Sequence, residues 1–106
     1  GYGAALTELR RFGDALNLAD EQLRVRADDL RLHRLRAASY AGMGRPGAQH
    51  RALAEVFALQ GQTAGAIEQL ELARKAGGDF YEMSAIDSRL RELKLRRLEE
   101  LKEKNN

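Results

Sequence analysis

The sequence predicts an all-α fold of about six antiparallel helices, stacked as a helical repeat and closed by a long C-terminal helix. Apolar residues recur at helical spacing along most of the chain, whereas no segment alternates with the period of two that half-buried strands show. β-Branched residues, which favour strands, are scarce. Small residues also recur at intervals of 34 and 17 positions, at Gly3, Ala37 and Ala54. These observations define the fold class.

The composition indicates one helix-rich globular domain. The 106 residues are 43% hydrophobic and 32% charged, and they include no cysteine, which excludes disulfides, thiol catalysis and cysteine metal ligands. No apolar run approaches the ~20 residues of a membrane-spanning helix. The net charge is only +2, with acidic residues interspersed among the basic ones, so we expect no nucleic-acid partner.

The first two helices are predicted on either side of Gly13. A first helix covers residues 4–11, and Gly13-Asp14 is predicted to break it. Asp14 is a good N-cap for a second helix over residues 15–26. The apolar faces comprise Ala5, Leu6, Leu9 and Phe12 in the first helix and Leu16, Ala19, Leu23 and Ala27 in the second.

Asp29 and Pro46 mark the starts of the next two helices. Asp29 offers a capping carboxylate to the third helix, which ends at the Gly-Met-Gly-Arg-Pro-Gly run of residues 42–47. Pro46 suits the first turn of a fourth helix, residues 47–59, because its missing N–H has no helical partner there. The inward residues are Leu32, Leu35, Ala38 and Tyr40 in the third helix and Leu53, Val56 and Phe57 in the fourth.

The last two helices are also delimited by turn and cap residues. Gly61 ends the fourth helix, and Thr63 is predicted to cap a fifth over residues 64–76. Asp79 is predicted to cap a sixth helix over residues 80–102. The inward residues are Ala66, Ile67, Leu70 and Ala73 in the fifth helix and Phe80, Met83, Ile86, Leu90 and Leu93 in the sixth.

The spacing of the small residues indicates a specific repeat. Thirty-four residues is the length of one tetratricopeptide (TPR) helix-turn-helix unit, and 17 is one helix with its turn. Three positions after each small residue comes a large one, placed to fill the hole beside a close helix crossing: Leu6, Tyr40 and Phe57. The pattern therefore predicts a TPR-like solenoid. An ordinary helical bundle with accidental spacing is the alternative.

The repeat divides a domain of residues 1–93 into units of about 1–29, 30–46 and 47–79 and a closing helix, 80–93. Residues 94–106 are predicted to be a charged helical extension with a frayed tail. The third unit begins only 17 residues after the second, so one helix is missing from the pattern. Either the fourth helix partners the third while keeping the sequence of a first repeat helix, or the solenoid changes phase there.

Parts of the chain resemble a narrower family. Residues 50–61, 66–74 and 78–93, the last with an Ala-Ile-Asp-Ser-Arg-Leu core, are similar to the C-terminal repeat domain of BepA/YfgC-like bacterial zinc metallopeptidases. The resemblance is good over residues 37–93 and loose over residues 1–36. It implies a periplasmic parent protein with an N-terminal HExxH peptidase domain, acting in the assembly and quality control of outer-membrane proteins. The repeat domain would there engage partner and substrate polypeptides, and this chain would be a fragment of that parent.

No residue pattern in the chain supports catalysis. A zinc-peptidase helix places two histidines one turn apart, with a glutamate after the first. Here His33 and His50 are 17 residues apart, each in the large-residue position of its helix, so we expect both to be structural. We therefore predict no enzyme activity, metal or cofactor in this chain. Zinc would belong to the peptidase domain that the resemblance implies.

We predict a binding surface for an extended polypeptide on the concave side of the solenoid. By repeat register its candidates are Arg31, Arg34, Arg51 and Glu55. The arginines offer a fork of donors for carboxylates or backbone carbonyls. The predicted function is a protein-interaction module of a periplasmic peptidase, with outer-membrane assembly components among its partners and self-association through the C-terminal helix as an option. The alternatives are a stand-alone adaptor, also compatible with the cytoplasm, and a nucleic-acid-binding repeat.

Overall fold

The chain folds into five helices. The computed structural model describes residues 2–105, with the side chains of residues 8–105. The helices are α1 (Tyr2–Leu23), α2 (Leu30–Gly42), α3 (Pro46–Leu59), α4 (Thr63–Ala76) and α5 (Phe80–Asn105). Residues 2–105 contain no strand. The predicted all-α class is confirmed, with five helices instead of about six.

α1 runs unbroken through Gly13, so the predicted break at Gly13-Asp14 is wrong and the first two predicted helices are one. A glycine inside a helix costs only about 1 kcal/mol relative to alanine. The burial of Leu16 and Ala19 further along α1 outweighs that cost. Asp14 consequently lies exposed within the helix and caps nothing.

Three predicted helix starts are confirmed. Asp29 accepts a hydrogen bond from the backbone N–H of Arg31 (2.9 Å) and so caps α2. Pro46 occupies the first turn of α3. At the start of α5, Asp79 accepts from the backbone N–H of Glu82 (2.7 Å), and the Glu82 carboxylate accepts from the N–H of Asp79 (3.2 Å), which forms a capping box.

The predicted capping role of Thr63 is wrong. Gln62 precedes α4 without a side-chain capping bond, and Thr63 is already helical. The buried Thr63 hydroxyl instead donates to the Glu100 carboxylate of α5 (2.8 Å). Arg96, one turn earlier in α5, donates to the carbonyl of Ala58 near the end of α3 (3.1 Å). The C-terminal part of α5 is thus anchored at the α3–α4 turn as far as Glu100.

Beyond this anchor α5 continues as a helix. Asn105, where fraying was predicted, is its last residue, and Asn106 lies outside the described residues. Three leucines of the C-terminal third of α5 are exposed, namely Leu95 and Leu98 before Glu100 and Leu101 after it.

Each helix packs antiparallel against the next one in the chain. The direction follows from pairs of contacts: Phe12–Gly42 and Asp20–Arg36 for α1 and α2, His50–Gln69 and Phe57–Gly65 for α3 and α4, and Thr63–Glu100 and Arg74–Asp87 for α4 and α5. α2 and α3 are joined by a turn of three residues, which reverses the chain in the same way. The described molecule measures 59 × 27 × 21 Å.

α3 and α5 run alongside each other in the same direction. Glu55 of α3 bonds to Arg89 of α5, 34 residues later, and the carbonyl of Ala58 bonds to Arg96, 38 residues later. α3 is also the direct antiparallel neighbour of α2. It packs at least as extensively against α4, so both alternatives that the repeat pattern left open stay predictions.

The main core lies between α3, α4 and α5. Its buried residues are Ala54, Ala58, Ala66, Leu70, Ala73, Ile86, Leu90 and Leu93, with Phe57, Ile67 and Met83 packed against them. The predicted inward faces of α4 and α5 are confirmed except at Phe80, which is 88% exposed. Phe80 is the first residue of α5, and α4 ends at Ala76, so no helix lies opposite it.

Other buried residues of α1 and α2 lie outside this cluster. They are Leu16 and Ala19 in α1 and Leu32, Ala37 and Ser39 in α2. Ala38 was predicted inward but is exposed, because it lies at an open cleft between the two helices. On the predicted apolar stripe of α1, Leu9 is exposed, and the side chains of Ala5 and Leu6 lie outside the described residues.

Candidate functional site

A small pocket lies where α2, α3 and α5 meet. It encloses about 100 Å³. Its polar lining consists of Arg36, Tyr40, Arg51, Glu55 and Arg89, and its apolar lining consists of Ala48, Leu70 and Ala85. We call this site the arginine pocket. Drug-sized ligands occupy pockets of roughly 300–1,000 Å³, so the arginine pocket suits one small group.

Arg89 and Glu55 form a two-pronged ion pair on one side of the arginine pocket. Arg89 Nη2 donates to Glu55 Oε1 (2.9 Å), and Arg89 Nε donates to Glu55 Oε2 (3.0 Å). Arg89 Nη1 also donates to Glu92 one turn further along α5 (3.2 Å). The hydrogen bonding of Arg89 to the Glu55 carboxylate raises the pKa of Arg89 above its usual value, which keeps the guanidinium charged. Both oxygens of Glu55 therefore accept a hydrogen bond from Arg89.

Arg36 and Tyr40 form the opposite side of the pocket. Arg36 Nε donates to Asp20 of α1 (2.6 Å). Its Nη2 donates to the Tyr40 hydroxyl (3.5 Å), and its guanidinium lies 5.5 Å from the centre of the Tyr40 ring. Arg45 lies 5.2 Å from the same centre. Two cations thus hold the Tyr40 ring in place through cation–π contacts.

Arg51 is the third arginine of the pocket. Its side chain is partly buried. Among the side chains of residues 8–105 it has neither a salt-bridge nor a hydrogen-bond partner, in contrast to Arg36 and Arg89. The arginine pocket therefore contains a guanidinium whose donors are available to a ligand.

The structure brings only some of the predicted site residues together. Arg51 and Glu55 line the pocket, whereas Arg31 and Arg34 do not. Arg31 pairs with Asp29 at the start of α2 (3.5 Å), and Arg34 is exposed on the same helix.

Three polar residues of the pocket were not predicted as site residues: Arg36, Tyr40 and Arg89. Tyr40 was interpreted as a residue that fills the hole beside a helix crossing. Arg89 carried a usable signal, because it follows Glu55 by one full repeat of 34 residues.

The two histidines lie in separate structural contacts. His33 Nε2 bonds to the carbonyl of Ala27 (2.8 Å), which requires the proton on Nε2 and leaves the buried Nδ1 without a partner among the described residues. His50 Nδ1 bonds to Gln69 Oε1 of α4 (2.8 Å). Within residues 8–105 no group of three potential metal ligands comes together.

Comparisons of the chain with models of protein families, with curated protein sequences and with solved structures find no match. No helix within residues 2–105 combines the length and the apolar composition that crossing a membrane requires.

Proposed function

We propose that this chain is a polypeptide-binding helical-repeat module and that the arginine pocket is part of its binding surface. The observation that carries the proposal is Arg51, a partly buried guanidinium without a partner among the described side chains. The pocket is too small for a nucleotide or a typical metabolite, but it suits one side chain or one backbone group of a longer ligand.

The arrangement of the helices supports an extended ligand. α3 and α5 lie alongside each other and both contribute to the pocket, so their adjoining side chains form one continuous surface. Stacked helical hairpins bind extended segments on surfaces of this kind. The 34-residue offset between Glu55 and Arg89 equals one TPR unit and supports a TPR-like arrangement.

We extend the proposal to the parent protein on the sequence resemblance described above. On that basis the module belongs to a periplasmic zinc metallopeptidase and binds outer-membrane assembly components or substrate proteins. The alternative is a stand-alone adaptor. The gene sequence upstream of Gly1 separates them: an HExxH helix preceded by a signal peptide supports the first, and an unrelated or absent upstream domain supports the second.

Capture of peptides tests the binding function. The purified chain is applied to an array of overlapping peptides from outer-membrane proteins and, for comparison, from cytosolic proteins. We expect capture of a subset of peptides, and a loss of capture with Arg51→Glu. Arg24→Glu changes the charge equally at an exposed site outside the pocket and serves as the control.

The outcome distinguishes three interpretations. Unchanged capture by Arg51→Glu would place the binding surface elsewhere, and Arg34→Glu then tests the remaining part of the predicted groove. Absence of any captured peptide would contradict the proposed function. Tight, steeply salt-dependent binding of labelled DNA or RNA at low salt would favour the nucleic-acid alternative.

A further inference from the structure

Two of the three arginines of the pocket are paired with carboxylates. Arg36 is paired with Asp20, and Arg89 is paired with both Glu55 and Glu92. Arg51 has no acidic partner among the described side chains. The six charges sum to zero, but Arg51 is the one guanidinium of the pocket without a carboxylate in contact among the described side chains.

The unpartnered group of the pocket is a donor. A guanidinium has five N–H donors and no acceptor, so Arg51 offers only donors. The Tyr40 hydroxyl accepts from Arg36, so its own proton is free to be donated. The oxygens of Glu55 accept from Arg89, and each keeps a further lone pair. A ligand group that satisfies Arg51 must therefore accept hydrogen bonds.

The apolar part of the lining strengthens the selection for charge. Ala48, Leu70 and Ala85 form the apolar part of the pocket wall, and an ion pair that is partly withdrawn from water is stronger than one on an open surface. A planar carboxylate also matches the fork of an arginine through two parallel hydrogen bonds. A group with two negative charges would bring more charge into this partly buried site than the one unpaired guanidinium can match.

We propose that the arginine pocket binds one carboxylate of the polypeptide ligand, held by Arg51 with the Tyr40 hydroxyl as a second donor. This inference rests on the proposed function and names the ligand group that the same site selects. The carboxylate comes from an aspartate or glutamate side chain or from the C-terminus of the ligand chain.

NMR titration of the 15N-labelled chain tests the inference without knowledge of the natural partner. The probes are N-acetylglutamate N-methylamide, its glutamine counterpart, and N-acetylalanine with a free carboxylate. We expect at least one carboxylate probe to shift the Arg51 Nε–H resonance in a saturable way, and the glutamine probe to leave it unchanged. A shift with the glutamate probe alone identifies a side chain as the source, and a shift with N-acetylalanine alone identifies the C-terminus.

Two variants control the titration. Arg51→Gln should weaken binding of the carboxylate probe about tenfold or more, measured on the Tyr40 amide resonance, because it removes a charged pair of donors. Arg24→Gln removes the same charge outside the pocket and should change the affinity little.

Four results would overturn the inference. They are equal shifts with the glutamine probe, no shift with either carboxylate probe, equal weakening by Arg24→Gln, and stronger binding of inorganic phosphate than of the carboxylates. The proposed function fails separately. Peptides captured equally well after amidation of the C-terminus and replacement of aspartate and glutamate by their amides would leave polypeptide binding in place and contradict carboxylate recognition. Carboxylate binding without peptide capture would support the ligand group of the pocket and contradict polypeptide binding.

Discussion

Glu55 and Arg89 are 34 residues apart in the chain, and two hydrogen bonds of 2.9 and 3.0 Å between them join α3 to α5. The two helices are not consecutive in the chain. The pair therefore links one helical hairpin directly to the helix that follows it, beside the pocket that contains Arg51.

The first prediction concerns the energy of this pair. In a double-mutant cycle of Glu55→Gln and Arg89→Met, urea unfolding should give a coupling of about 1 kcal/mol, because both side chains are about two-thirds buried and the contact is two-pronged. The coupling should fall in about 1 M NaCl, where screening is strong.

The pair of Arg74 and Asp87 provides a matched control for this cycle. It joins α4 to α5 through a single longer contact of 3.5 Å and is more exposed. We expect its coupling to be close to zero. Equal coupling energies for the two pairs would contradict this prediction, because the geometry and burial of an ion pair would then not determine its strength.

The second prediction contrasts two glycines. A Cβ added at Gly13 or at Gly61 meets no atom within 4 Å, but Gly13 is helical and Gly61 has a φ of 77°. Gly13→Ala should stabilise the protein by about 0.5–1 kcal/mol, and Gly61→Ala should destabilise it by about 1 kcal/mol or more. Chemical denaturation measures both. A destabilising Gly13→Ala would mean that α1 is not a continuous helix at that position.

The third prediction concerns Ala54. This residue is completely buried in the core of α3, α4 and α5. Ala54→Leu should destabilise the protein by about 1–3 kcal/mol through overpacking. Ala38→Leu introduces the same side chain at an exposed position of α2 and should have little effect on the urea midpoint. Similar losses from both substitutions would argue against a close helix crossing at Ala54.

The fourth prediction concerns the pH dependence of stability. Desolvation raises the pKa of Asp29, but the hydrogen bonds from the side chain and backbone of Arg31 and from the backbone of Leu32 lower it, and the result lies below the usual 3.8. The native state therefore binds the proton less tightly than the unfolded state. The stabilisation by this carboxylate is complete above pH 3.8 and is lost as the pH falls through the lower native pKa.

Asp29→Asn tests this prediction, because asparagine keeps a capping oxygen but does not titrate. Melting temperatures of the protein and of the variant are compared from about pH 6 downward, through the unfolded pKa of 3.8 and further into acid. The difference between them should be largest at the upper end and should shrink in acid. A difference that is constant over this range would contradict a lowered pKa.

The sequence predicted those features that depend on neighbouring residues. Asp29, Pro46 and Asp79 mark helix starts because capping involves groups only a few residues away. Gly13 and Thr63 were misread because distant contacts decide their roles. The burial of Leu16 and Ala19 continues α1 past Gly13, and the partner of Thr63 lies 37 residues away.

The candidate site shows the same division. Repeat register alone placed Arg51 and Glu55 on a common surface, and both line the pocket. It also placed Arg31 there, but Arg31 pairs with the capping Asp29. The availability of Arg51 could not be predicted, because it depends on which carboxylates the other arginines engage in three dimensions.

The buried apolar residues are distributed unevenly over the helices, and this determines the order in which the helices unfold. The interlocking apolar cluster includes residues of α3, α4 and α5 only, while α1 and α2 rest on a thinner layer. In stacked helical hairpins such local differences become separate unfolding steps. Amide hydrogens of α1 should therefore exchange with deuterium earliest and those around Leu70 and Leu90 last, so that the stack opens from its N-terminal side.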